Sequence, residues 1–328
     1  MAHRAWRSKN SPCPTPLAPC LRRRPMNYYY SFNSYLRERY GCKVRRISLD
    51  AGFSCPNKDG TAGTGGCIYC NELAFSPFAG KTLTLDEQIA LSLSGTRKGG
   101  RAEKFIAYFQ NATNTYASCD KLKVAYDVIK KHPEIIGLFI STRPDCIDDE
   151  KLDLIAGYMP AYEVWIEYGL QTVHDRTLRF INRGHDHKAS VEAIEKTAER
   201  GIKVGVHVIL GLPGETRDDM MATAKEVSAL PVNGIKLHVL HVLKGTPLEK
   251  MYTDGKLKLM ERDEYVSAAC DLLENIREDI VVFRLVSDAS REVLIAPGWI
   301  NNKLEVISLI ESELGRRGIR QGNKITRE

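Results

Sequence analysis

The sequence predicts an α/β protein: a partial (βα)6 TIM-like barrel followed by a C-terminal α/β extension. Three observations predict it. From about residue 43, short apolar runs alternate with amphipathic stretches. The apolar runs read as strands buried on both faces, which is the pattern of a parallel sheet. Polar residues gather just after those runs, at the end where a parallel barrel builds its sites. Six such units are two short of a closed barrel, so an open barrel with a wide lateral face is expected.

The expected strands are 44–49, 105–110, 135–141, 163–168, 203–210 and 235–242. Helical patterns follow them. Thr84-Leu-Asp-Glu opens one with an N-cap and first-turn acids. Residues 120–132, 148–158, 187–200 and 216–229 carry the next four, the third stopping at Gly201. Residues 246–328 form the extension, with helices near 262–278 and 303–315 and a strand at 281–286. It is expected to pack on the barrel and cover an edge. The barrel itself spans 26–245.

Residues 1–25 are expected to be a disordered leader. They hold five of the 14 prolines, which forbid a continuous helix or ladder. They also hold six basic side chains and no acid, so they account for the whole net charge of +6. The remaining body has 41 basic and 41 acidic side chains, and its net charge implies no partner. An organelle transit peptide is the minor alternative for this leader. Hydrophobic residues at 43% and charged residues at 27% exclude a disordered chain. No apolar run reaches the roughly 18 residues of a membrane span, and no apolar signal-peptide core is present. A cytoplasmic protein without a membrane partner is expected.

The strongest chemical signal is Cys55-Pro-Asn-Lys-Asp-Gly-Thr-Ala-Gly-Thr-Gly-Gly-Cys67-Ile-Tyr-Cys70, directly after the first strand. Its glycines let the backbone wrap tightly and leave amides free to hydrogen-bond sulfides. Three thiolates suit a [4Fe–4S] cluster with one iron left open. The competing reading is a zinc site built from Cys67 and Cys70 with Cys55, and with Cys42 as an optional fourth ligand. Cys119, Cys146 and Cys270 read as isolated thiols.

The motifs around this loop resemble the radical S-adenosylmethionine (radical SAM) superfamily, and more closely the YhcC/YtqA-type proteins related to the Elongator catalytic subunit. They are Gly52-Phe-Ser-Cys-Pro-Asn, Gly65-Gly-Cys-Ile-Tyr-Cys, Tyr108-Phe-Gln-Asn-Ala-Thr, Ser141-Thr-Arg-Pro-Asp, Glu167-Tyr-Gly-Leu-Gln-Thr, Asn182-Arg-Gly-His, Gly211-Leu-Pro-Gly-Glu and Ile235-Lys-Leu-His-Val-Leu-His. The resemblance implies a cluster on Cys55, Cys67 and Cys70, S-adenosylmethionine (SAM) on the open iron, and hydrogen abstraction by a 5′-deoxyadenosyl radical. An external one-electron reductant of the flavodoxin or ferredoxin type is implied too. Expected neighbours of SAM are Tyr69 in the loop, Gln110, and Thr142 with Arg143. Glu167 with Gln171, Arg183, and the Gly211–Pro213 turn complete that set.

Two departures are visible. The Gly-Gly-Glu type motif of many members is replaced here by Gln110-Asn-Ala-Thr, without an acid. Residues 246–328 are too few for the acetyltransferase domain of the Elongator subunit, so acetyl-CoA chemistry is not expected.

The expected substrate is a modified wobble uridine in tRNA, by the kinship alone. Lys236, His238, His241 and Lys244 are candidate substrate contacts at the sixth strand. Basic residues 37–46, 97–104 and 316–320, with Tyr28–Tyr30 and Tyr40 interleaved, are candidate RNA contacts. The alternatives are a radical enzyme for a small metabolite or protein, and a non-catalytic zinc or iron–sulfur module.

Overall fold

A computed structural model describes residues 27–71, 78, 80–98, 103–287 and 289–325. The expected leader, with Cys13 and Cys20, lies outside the described residues. The chain runs α1 (Phe32–Tyr40), β1 (Val44–Leu49), α2 (Leu85–Lys98), β2 (Lys104–Phe109), α3 (Cys119–Asp127) and β3 (Ile135–Thr142). Next come α4 (Asp149–Ala156), β4 (Glu163–Gln171), α5 (Asp175–Phe180), α6 (His187–Glu199), β5 (Lys203–Leu210) and α7 (Arg217–Ala229). The last part holds β6 (Gly234–Val239), β7 (Val242–Leu243), α8 (Pro247–Thr253), α9 (Arg262–Glu274), β8 (Val281–Arg284), β9 (Leu294–Ala296) and α10 (Lys303–Arg317).

All six expected strands form, and they join in chain order into one parallel sheet. The sheet has a seventh strand that the sequence reading did not place in it. β8 pairs parallel with β6, with Gly234 opposite Val281 and Lys236 opposite Arg284. The extension therefore continues the barrel wall as well as covering it. An apolar Val281-Val-Phe segment satisfies the open backbone edge that β6 would otherwise present.

Alternation along the strands sorts side chains into two cores. Outward-facing Ile47, Leu138, Ile166, Val206 and Leu237 pack under the helices. Inward-facing Ile106, Phe139, Trp165 and Phe283 fill the barrel bottom. Helix α1 plugs that bottom: the Phe32 ring lies 4.8 Å from Phe283 and 5.9 Å from Phe139. A Cβ on Gly234 would stand 2.3 Å from the Phe283 ring, so only glycine lets the plug close there.

The period of two dictates what lies above the plug. Two residues on from Trp165 comes Glu167, and the inward faces of β1, β2, β5 and β6 bring Arg46, Tyr108, His207 and Lys236 to it. They form a polar layer inside the barrel, between the aromatic bottom and the open C-terminal mouth.

Candidate functional site

The cysteine loop leaves β1 at the mouth. Backbone bonds fold it: Lys58 N–H to Cys55 O at 2.9 Å, Gly66 N–H to Asn57 O at 2.8 Å, and Cys70 N–H to Cys67 O at 3.0 Å. Gly66 has a positive φ of 75°, and a Cβ there would meet Lys58 Cε at 2.9 Å. The segment after α5 pins the loop from above. Asn182 Nδ2 donates to Gly66 O at 2.7 Å and to Thr64 O at 3.2 Å. Asn57 Nδ2 donates to Asn182 O at 2.6 Å and approaches Cys67 Sγ at 3.7 Å.

Arg183 is buried beside the thiols. Its Nη1 reaches Cys67 Sγ at 3.6 Å and its Nη2 donates to Gly169 O at 2.8 Å. Arg143 Nη1 in turn donates to Arg183 O at 2.8 Å, and its Nη2 pairs with Asp145 at 2.7 Å. Burial, with Cys67 alongside, pushes the Tyr69 phenol well above its usual range. Cys55, Cys67 and Cys70 rim a cavity of about 350 Å³ that runs down into the barrel. A volume in this range suits one small ligand or cofactor.

The polar layer forms the deep end. Glu167 is fully buried. Its Oε2 accepts from Tyr108 Oη at 2.9 Å, His207 Nε2 at 2.8 Å and Lys236 Nζ. Arg46 Nη1 stands 3.9 Å from Oε1. Burial opposes ionisation of Glu167, but Lys236 and His207 hold it well below the usual carboxylate range. Burial pushes Lys236 down to about 7 despite Glu167, and pushes His207 down to about 4.

Of the residues expected to neighbour SAM, Tyr69, Gln110, Thr142, Arg143, Gln171 and Arg183 line the cavity. Glu167 is not among the lining residues: it sits in the polar layer, and its partners are interior cations, not Arg143 or Arg183. Gly211 and Pro213 are not among the residues that line this cavity; they border a separate depression with Met260. Ile209 of β5, two residues earlier, lines the cavity in their place. Of the four expected substrate contacts, Lys236, His238 and His241 line the cavity. Lys244 does not: β7 carries it past the mouth, where it is exposed and its N–H bonds Val293 O at 2.8 Å. Cys42 is a correction to the zinc alternative. It packs with the aromatic plug, a whole strand away from the loop, and cannot share a metal with Cys67.

Sequence reasoning missed Arg284, which reaches the cavity only because β8 joins β6, and Asn57, whose role is visible only in three dimensions. It also placed Arg46 in a basic surface patch. Arg46 instead lies inside the barrel, 5.0 Å from the Phe32 ring and 5.5 Å from the Tyr108 ring. Other expected RNA contacts are occupied as well. Arg39 pairs with Glu163, Arg316 with Glu313, and Arg317 with Asp271 and Glu313. Tyr29 and Tyr30 bond Glu311 and Glu38. The Arg97 side chain and residues 99–102 lie outside the described residues.

Comparison with known proteins agrees with this architecture. Residues 59–227 match the radical SAM superfamily and residues 232–316 match the Radical_SAM C-terminal domain. The chain belongs to the radical SAM superfamily and is an enzyme of that class. It is 43% identical to protein YtqA of Bacillus subtilis over 295 residues, 90% of this chain and 92% of that one. It is 38% identical to protein YhcC of Escherichia coli over 297 residues, 90% and 95% of the two chains. A weaker similarity, 26% over 134 residues, covers 40% of this chain and 24% of the tRNA uridine(34) acetyltransferase of Methanocaldococcus jannaschii. The solved Elp3 of Methanocaldococcus infernus shares the fold at a TM-score of 0.65 and 16% identity, over 85% of this chain and 64% of that one.

Membership implies an iron–sulfur cluster and SAM, and the residues present fit both. Cys55, Cys67 and Cys70 share one cavity rim, an arrangement suited to a cube held by one thiol per iron. Above Gln110 the backbone takes positive φ at Asn111 (87°) and Ala112 (50°). Asn111 Oδ1 and Thr113 Oγ1 are buried there without a partner among the described residues, so acceptors are available on the cavity wall. No helix among the described residues is long and apolar enough to cross a membrane.

Proposed function

We propose that the protein is a radical SAM enzyme that acts on a modified uridine in tRNA. The observation that carries the radical reading is the rim of Cys55, Cys67 and Cys70 over a cavity that continues into a charged barrel interior. When bound, a [4Fe–4S] cluster and SAM supply a 5′-deoxyadenosyl radical that takes a hydrogen atom from the substrate. The three thiolates hold the cluster, and a flavodoxin- or ferredoxin-type protein of the cytoplasm delivers the electron.

The chain's own side chains do the rest. Arg183 places positive charge against Cys67, and Asn182 and Asn57 hold the loop closed. Asn111 and Thr113 offer acceptors to the amino group of SAM. Tyr69, Gln171 and Ile209 shape the walls around the nucleoside. The plug at α1 and the strands around it exclude water from below, which protects a reactive radical.

The uridine reading draws on the similarity to the archaeal tRNA uridine(34) acetyltransferase. The base would enter extruded from the RNA, because its target atom has to reach the interior of the barrel. A strain lacking the gene tests it: tRNA nucleosides compared by mass spectrometry should lose one modified uridine and accumulate its precursor. An unchanged profile would overturn the uridine reading. The neutralised arginines at the surface favour a second one, a small metabolite or a protein side chain as substrate.

A further inference from the structure

The deep end of the cavity has a charge balance that the SAM contacts leave unexplained. Lys236 and His238 on β6, His207 on β5 and Arg284 on β8 line it. Behind them, Glu167 is the carboxylate of the layer among the described residues, and it faces both Lys236 and Arg46. Besides its burial, Arg46 and Arg284 press on the Lys236 ammonium and weaken its hold on its proton, a repulsion that an incoming anion relieves. Burial holds His207 and His238 neutral, so they supply hydrogen bonds and not charge. His238 Nε2 is buried without a partner among the described residues.

We propose that this end of the cavity is a subsite for a carboxylate carried by the substrate, bound by Lys236 and by His238 Nε2–H. The proposal rests on the reading that the cavity receives the substrate. The two oxygens of a carboxylate meet the two donors, Lys236 Nζ and His238 Nε2–H. A modified nucleoside with an acidic side chain and a free carboxylic acid offer the same group.

The test uses the full-length reconstituted protein and [13C]acetate as the probe, followed by carbon line width. Acetate should bind saturably, and Lys236→Met should weaken it by roughly 10-fold or more, the loss of one charged hydrogen bond. Lys244→Ala should leave it unchanged. Because Lys236→Met strands Glu167, the double variant Lys236→Met/Glu167→Gln is measured too. It leaves the net charge of the layer unchanged while removing the Lys236 donor, and should fold and bind acetate more weakly than wild type by roughly 10-fold or more. Unsaturable binding, equal binding in the double variant, or stronger competition by inorganic phosphate would overturn the subsite.

Release of 5′-deoxyadenosine is read on the same samples. Release without acetate binding overturns the subsite alone; binding without release overturns the radical reading and leaves the subsite standing. In the gene-deletion strain, an accumulating acidic uridine supports a nucleoside source, and an accumulating free carboxylic acid supports a metabolite source. Accumulation of a neutral substrate overturns the proposal.

Discussion

Arg183 Nη1 lies 3.6 Å from Cys67 Sγ, so a buried guanidinium faces one of the three thiols on the cavity rim. Positive charge and N–H donors beside a cluster sulfur make reduction easier. Arg183→Gln should therefore keep the iron but lower the cluster's reduction potential by tens of millivolts. A redox titration followed by electron paramagnetic resonance measures this. An unmoved potential would remove Arg183 from the cluster's surroundings.

Asn182 holds the glycine-rich part of the cysteine loop through two carbonyls. It does so from a left-handed backbone, with φ of 52°. Asn182→Ala removes both bonds, worth about 1–3 kcal/mol together. The barrel should stay folded by circular dichroism, while bound iron falls clearly below the about four per chain expected of the cluster. Full iron retention would show that the loop holds its shape alone.

Removal of Glu167 should be severe. Glu167→Ala leaves Lys236 and Arg46 buried without their counter-ion. The expected loss is about 3–5 kcal/mol in urea unfolding. The double variant with Lys236→Met should recover much of it. A loss within the range of ordinary surface variants would mean that water reaches this layer.

Glu163, at the barrel bottom, predicts an acid-sensitive plug. Burial pushes its pKa up, but hydrogen bonds from Lys203, Tyr35 and Trp165 prevail and hold it at about 2, below the ordinary 4.5. A carboxylate with a lowered folded pKa stabilises the protein above 4.5, and that stability is lost as pH falls toward 2. Wild type should exceed Glu163→Gln by on the order of 1–3 kcal/mol near neutrality, with the difference closing as pH falls through that window. A pH-independent difference would contradict the pairing.

The parts legible in the sequence are those written locally. Six strands announced themselves as apolar runs, and the cysteine loop by its spacing. The polar layer was not legible as a unit, because Arg46, Glu167 and Lys236 meet only when the barrel closes. Arg46 looked like one more member of a basic run, and only the register of β1 turns it inward. Val281–Arg284 was visible as a strand, but β7, α8 and α9 lie between it and β6, and no local pattern specifies that pairing. Gly211 and Pro213 form the expected turn after β5, but which depression that turn borders is set by Met260, far along the chain.

The central claim is that Cys55, Cys67 and Cys70 form the cluster site of a SAM-cleaving enzyme. The direct measurement is 5′-deoxyadenosine formed from SAM by the anaerobically reconstituted, reduced protein, with Cys67→Ala alongside. Formation by wild type and none by the variant is the predicted result. No product from wild type carrying its full iron load, or equal product from both proteins, would contradict the account.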